Sequence, residues 1–135
     1  MSTPTTESDI TPPDGNIRVV TQCWYLSEQS HPEERRYAFS YTISIHNDGA
    51  EPAQLLTRHW LITDADGRKQ EVHGDGVIGE QPEIQPGRKH VYSSGTLIES
   101  PVGTMEGRYG MVSASGEHFD AIIPVFRLSV PGVLN

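Results

Sequence analysis

The chain lacks most of the features that identify a functional class at sight. Its single cysteine, Cys23, stands alone in 135 residues, so an internal disulfide cannot form and a cysteine-built metal site is excluded. Positive charge is scarce. Ten Lys and Arg stand against 18 Asp and Glu, a formal net charge of −8. That balance excludes the clustered basic surface of a nonspecific nucleic-acid binder and disfavours docking to an anionic membrane. Long apolar runs are missing, so no transmembrane helix is expected. The first residues also lack the charged-then-apolar order of a secretory signal. With a disulfide-free composition, this makes the cytoplasm the expected location. Cys23 lies in an apolar stretch and reads as a buried, inert thiol.

Helical periodicity is absent as well. What is present instead is alternation of period two. Tyr37, Phe39, Tyr41, Ile43 and Ile45 alternate with Ala38, Ser40, Thr42, Ser44 and His46, the pattern of a half-buried antiparallel strand. Further strands are predicted over 18–26, 54–63, 68–73, 90–97, 104–113 and 117–130, each rich in β-branched or aromatic residues. Asp64-Ala65-Asp66-Gly67 and Ala114-Ser115-Gly116 supply turns, and the 10 prolines and 13 glycines fall mainly between strands. About seven short strands with regular turns predict an all-β fold, an immunoglobulin or fibronectin III-like antiparallel β-sandwich, with an open Greek-key barrel as the alternative. Residues 1–16 hold Ser, Thr, Pro and acids with almost no apolar content, and are expected to be a disordered tail before one domain over 17–135.

Within this pattern Phe39, Tyr41, Ile43, Trp60, Ile62, Tyr109, Met111, Ile123 and Val125 are expected to face inward. Both faces of the 54–63 strand are partly apolar, so the large area of Trp60 decides its orientation. Arg58 then falls at the core edge. Its guanidinium must be paired there, by an acid or by an anionic ligand.

Gly74, Gly76 and Gly79 spell out G-x-G-x-x-G. The dinucleotide fingerprint needs a helix directly after the glycines, and Pro82, Pro86 and Gly87 forbid one. The loop is therefore not Rossmann-like. It either binds an anion through successive backbone N–H groups or only turns the chain. On the first reading Gly74, Asp75, Gly76, Val77, Ile78, Gly79 and Arg58 form a phosphate-binding set, with the glycines allowing positive φ and close approach. Asp75 and Glu80 oppose an anion there.

Phe39-Ser40-Tyr41-Thr42-Ile43, Leu55-Leu56-Thr57-Arg58-His59-Trp60, the His73–Pro82 loop and Gln85-Pro86-Gly87 resemble the bacterial ApaG proteins. So do Tyr92-Ser93-Ser94-Gly95, Gly103-Thr104-Met105-Glu106-Gly107 and Ile123-Pro124-Val125-Phe126. The resemblance covers 17–131 with its motifs in fixed order, and all three loop glycines match. It implies a small fibronectin III-like sandwich, similar to domains at the C-terminal side of some F-box proteins and of a DNA polymerase δ-interacting protein, which serve as protein-interaction modules. It also implies links to cobalt resistance and magnesium efflux, and a glycine loop proposed for pyrophosphate or nucleotide phosphates.

Chemistry is thin elsewhere. No two of the six histidines lie at i, i+2 or i, i+4, so no metal site is predicted. Asp64-x-Asp66-Gly67 places its glycine too early for a calcium loop. A nucleophile elbow and a His–carboxylate relay are both missing, so catalytic residues and cofactors are not expected. The expectation is a non-enzymatic binding module for an unidentified protein partner, with pyrophosphate or nucleotide phosphate as the alternative ligand.

Overall fold

In a computed structural model the chain is described over residues 6–10 and 16–133. Among them run nine strands: β1 (Thr6–Ile10), β2 (Ile17–Tyr25), β3 (Tyr37–Asn47), β4 (Ala53–Asp64), β5 (Lys69–Asp75), β6 (Glu83–Ile84), β7 (Lys89–Ile98), β8 (Val102–Ser113) and β9 (His118–Ser129). Two short 3₁₀ turns lie between β2 and β3. Among the described residues no helix is long and apolar enough to cross a membrane.

All pairings are antiparallel. One sheet has the order β1-β2-β3-β7, the other β5-β4-β8-β9, with β6 beside the start of β4. The chain changes sheet after β3, after β6 and after β7, so the two inner faces are sewn together several times. Ile17, Val19, Phe39, Tyr41, Ile43 and Ile45 from the first sheet share one core with Leu55, Trp60, Met105, Tyr109, Ile123 and Phe126 from the second. The chain is a β-sandwich, as the alternation predicts.

The seven expected strands are all present, and the additions are β1 and the two-residue β6. Strand β1 falls within the segment expected to be a tail. Thr6–Ile10 pairs with β2 in register from Thr6↔Cys23 to Ile10↔Val19. The rest of the tail assignment, residues 1–5 and 11–15, lies outside the described residues. An added edge strand is held by main-chain hydrogen bonds and asks little of its side chains. Composition, which measures burial, is blind to it.

The core expectation fails at one residue. Val125 is 54% exposed and Phe126 is buried in its place. The β8–β9 register shifts between Met105 and Gly107, and Ile123 and Pro124 are buried side by side. Pro124 cannot donate to the ladder, so the strand bulges there and the inward parity moves by one residue. A second bulge, in β4 between Leu55 and Thr57, explains why periodicity alone left that strand's inner face undecided. Trp60 does face inward, 3% exposed.

Asp64 shows why its turn needs no cation. Its Oδ1 accepts from the amides of Asp66 at 2.9 Å and Arg68 at 3.0 Å, while Gly67 takes φ 84°, so the carboxylate is consumed by the turn.

Tyr41, Tyr92 and Tyr109 lie together under the sandwich edge, and the Tyr92 and Tyr109 hydroxyls are hydrogen-bonded. Burial raises the pKa of all three above the ordinary tyrosine range. A folded-state pKa above the unfolded one gives stability that is complete below the unfolded value and is lost as pH rises beyond it. The protein is therefore expected to hold its stability up to about pH 10 and lose it progressively above. Tyrosinate absorbance from these three hydroxyls should rise together with loss of circular dichroism. Ionisation of all three with an unchanged dichroism spectrum would contradict this.

Candidate functional site

The glycine loop is a miniature hairpin. Val77 and Glu80 exchange two main-chain hydrogen bonds, Val77 N–H to Glu80 O at 2.8 Å and Glu80 N–H to Val77 O at 3.0 Å. Between them Ile78 and Gly79 have φ 48° and 76°. Two central residues with positive φ are the signature of a type I′ turn, the two-residue connection whose twist suits antiparallel strands. The loop is tied to the second sheet by the β4 bulge. Leu56 is the extra residue there, and its carbonyl accepts from the Gly76 amide at 2.8 Å and from Gln81 Nε2 at 2.9 Å.

Each glycine has its own local cause. Gly76 has φ 65°, and a Cβ there would sit 2.2 Å from the Glu80 carbonyl oxygen. Gly79 supplies the second positive φ of the turn. Gly74 differs from expectation, since it has no positive φ. A Cβ on it would meet the Arg58 guanidinium at 2.7–2.8 Å, so its role is to let that side chain lie flat across the strand.

Arg58 is paired, though with main-chain carbonyls rather than an acid. Its Nη1 donates to Asp75 O at 3.0 Å and Gly76 O at 2.9 Å. Charge-assisted bonds of this kind hold a buried-edge guanidinium without a carboxylate. Of the amides from Gly76 to Glu80, those of Gly76, Val77 and Glu80 are consumed internally. Only Ile78 and Gly79 present N–H groups without an acceptor among the described residues.

Beside the loop lies a cleft of about 400 Å³ lined by Thr57, Arg58, His59, His73, Gly74, Asp75, Arg108, Gly110 and Asp120. His59 and His73 stand directly opposite each other on β4 and β5. Their rings stack with centroids 4.1 Å apart and planes 13° from parallel. Glu71, two residues before His73 and on the same face, reaches both: Oε2 lies 3.0 Å from His59 Nε2 and 3.4 Å from His73 Nε2. These bonds, first that of His59 and then that of His73, hold the Glu71 carboxyl below its usual pKa. His59 Nδ1 is buried with no hydrogen-bond partner. The three donor atoms lie within 4.8 Å of one another, as do those of the exposed set His31, Glu33 and Glu34. Spacing rules within one segment miss the first cluster, because one of its three residues, His59, comes from the paired strand. Its only local signal is Glu71-x-His73 on an alternating strand.

Two serine hydroxyls near these strands serve structure. Ser93 Oγ bonds Thr42 Oγ1, and Ser100 Oγ donates to Val102 O while accepting from the Ala65 amide.

Comparison with known proteins agrees with this architecture. Residues 27–113 match the family model described as the ApaG domain. The Protein ApaG of Pseudomonas aeruginosa is 59% identical over 120 residues, covering 89% of this chain and 94% of that relative. The Protein ApaG of Shewanella oneidensis is 54% identical over 122 residues, 90% of this chain and 97% of its own length. An X-ray structure of a structural-genomics target superposes with a TM-score of 0.86 at 54% identity, covering 91% of this chain and 93% of that one. A crystal structure of a Bordetella pertussis protein described as ApaA gives 0.85 at 42% identity, covering 87% and 96%.

Proposed function

We infer function from the premise that this chain belongs to the ApaG domain family: it is a non-enzymatic β-sandwich module of the cytoplasm that docks a protein partner through the tip of its glycine hairpin. One observation carries the reading. Ile78 sits at that tip, 60% exposed, with its backbone in the left-handed region at φ 48°. A β-branched residue in that region costs on the order of 1–3 kcal/mol, and it gains no burial in return. Arg58 and the Leu56 carbonyl hold the loop rigid from below, so the apolar tip is presented at little further entropic cost on docking. The influence on cobalt or magnesium handling that the family resemblance implies would then run through the partner.

The test replaces Ile78 with a photo-crosslinking residue in the cell and compares it with the same residue at Leu97, which is also exposed. A single protein captured from position 78 and not from 97, and released by Ile78→Asn, is the expected result. Ile78→Asn should keep or raise the melting temperature, because Asn tolerates the left-handed conformation. Identical capture from both positions would defeat the reading.

The second reading, a pyrophosphate or nucleotide phosphate held by Gly74–Gly79 and Arg58, is favoured by the two open amides of Ile78 and Gly79. Titration with pyrophosphate should then move those two amide resonances first. Gly76→Val is unsuitable as its control, because the added side chain collides with the Glu80 carbonyl and breaks the loop with or without a ligand.

A further inference from the structure

We propose that His59, Glu71 and His73 form a binding site for a divalent transition-metal ion of the zinc class, on the outer face of the β4–β5 pair and at the mouth of the adjoining cleft. Two imidazoles and one carboxylate are a donor set suited to zinc and its neighbours, and one that leaves further coordination positions open. The spacing fits. A tetrahedral ion with bonds near ~2.05 Å keeps its ligand atoms about 3.3 Å apart. The two nitrogen–oxygen separations here are 3.0 and 3.4 Å, on either side of that edge length.

The scaffold is also suitable. All three residues project from the same face of two paired strands in fixed register, His59↔His73, with Glu71 facing Leu61. A site built on paired strands is set by the ladder and needs no loop to close. Glu71 already holds the two Nε2 atoms around one oxygen, so the ligands are gathered before an ion arrives. One adjustment is required. Lone pairs of nearly parallel rings do not converge on one point, so binding turns at least one imidazole about χ2. That terminal torsion is broad and soft. Turning the His59 ring also displaces its Nδ1 from the enclosed position where it has no hydrogen-bond partner.

Past the ligands, His59 and His73 line the cleft with side chains of both signs, Arg58 and Arg108 beside Asp75 and Asp120, and Arg108 Nε lies 3.9 Å from Asp120 Oδ2. Magnesium is a poor occupant, because it demands oxygen donors in near-ideal octahedral geometry.

The experiment is calorimetric titration of the untagged full chain with Zn²⁺, joined to imidazole proton–nitrogen spectra that identify the liganded ring atom. One equivalent should bind, with the Nε2 resonances of His59 and His73 shifting together. Binding should weaken by roughly tenfold or more in His73→Ala and in Glu71→Gln. It should fall as pH drops through the imidazole range, since protons compete for the ligand nitrogens. Mg²⁺ in excess should not displace it. His73 and Glu71 are 65% and 60% exposed, so both variants should keep the parent melting temperature, and loss of binding then reads on the site alone. His31→Ala, in the other exposed cluster, should leave the titration unchanged. The proposal is overturned if no equivalent binds, if binding persists in His73→Ala, or if His31→Ala removes it.

Discussion

Trp60→Ala is expected to lower the unfolding free energy by roughly 3–5 kcal/mol. The indole is 3% exposed at the centre of the second sheet. Its ring centroid lies 5.4 Å from that of Tyr41, 6.0 Å from Phe126 and 6.4 Å from Tyr109, the last two edge-on. Truncation loses the transfer energy of a large ring and leaves a hole between two sheets cross-connected several times, which cannot collapse around it. Edge-to-face contacts add a further loss beyond area. Against a total stability typically about 5–15 kcal/mol, a change of this size is a large fraction. Denaturant unfolding followed by circular dichroism measures it directly. An unchanged midpoint would mean that Trp60 carries none of the core.

Gly107→Ala should be as damaging, for a different reason. A Cβ at Gly107 would lie 2.0 Å from the His59 carbonyl oxygen and 3.2 Å from Trp60 Cα. Both obstacles are main chain of the neighbouring central strand, and neither can rotate away. The residue sits where the β8–β9 register shifts, so the ladder on its other side is already irregular. Relief requires separating β4 from β8, and the expected cost is at least ~3 kcal/mol. Gly116→Asn is the comparison. It has φ 91° and nothing within 4 Å of an added Cβ, so it should cost only the backbone strain of a positive φ, which Asn bears better than most residues, and lower the melting temperature much less than Gly107→Ala. Equal effects of the two substitutions would show that steric contact at Gly107 does not set the cost.

These two residues also mark the limits of reading this fold from its sequence. Most of the seven strands were legible because one face is buried or half-buried, and burial writes period two into the chain, whereas β5 has no fully buried residue and was legible from the Asp64-Ala65-Asp66-Gly67 turn before it. Trp60 was placed correctly by its size. Phe126 was not foreseen, because an alternation carried unbroken through Ile123 and Val125 cannot register the slip at Pro124. A proline inside a strand pattern is the sign of such a slip. Strand β1 escaped because main-chain pairing leaves little trace in side-chain composition. The need of Arg58 for a partner was legible from its place beside Trp60. That the partners would be the carbonyls of Asp75 and Gly76 was not, since carbonyls are everywhere in a sequence. The G-x-G-x-x-G string is three separate accommodations: to Arg58 at Gly74, to the Glu80 carbonyl at Gly76, and to a type I′ turn at Gly79. The sequence does not bring His59 beside Glu71 and His73, because their proximity exists only once β4 and β5 have chosen their register.

Cys23 has a consequence of another kind. The thiol is fully buried, and its Sγ donates to the Arg127 carbonyl at 3.2 Å, bridging β2 and β9 across the sandwich. As the chain's single cysteine, it gives the folded molecule a redox-silent exterior. Copies in contact have no thiol to exchange, and an oxidant reaches the sulfur only in molecules whose β2 and β9 have parted. The rate at which an alkylating reagent consumes this sulfur is therefore set by how often the sandwich opens along that seam.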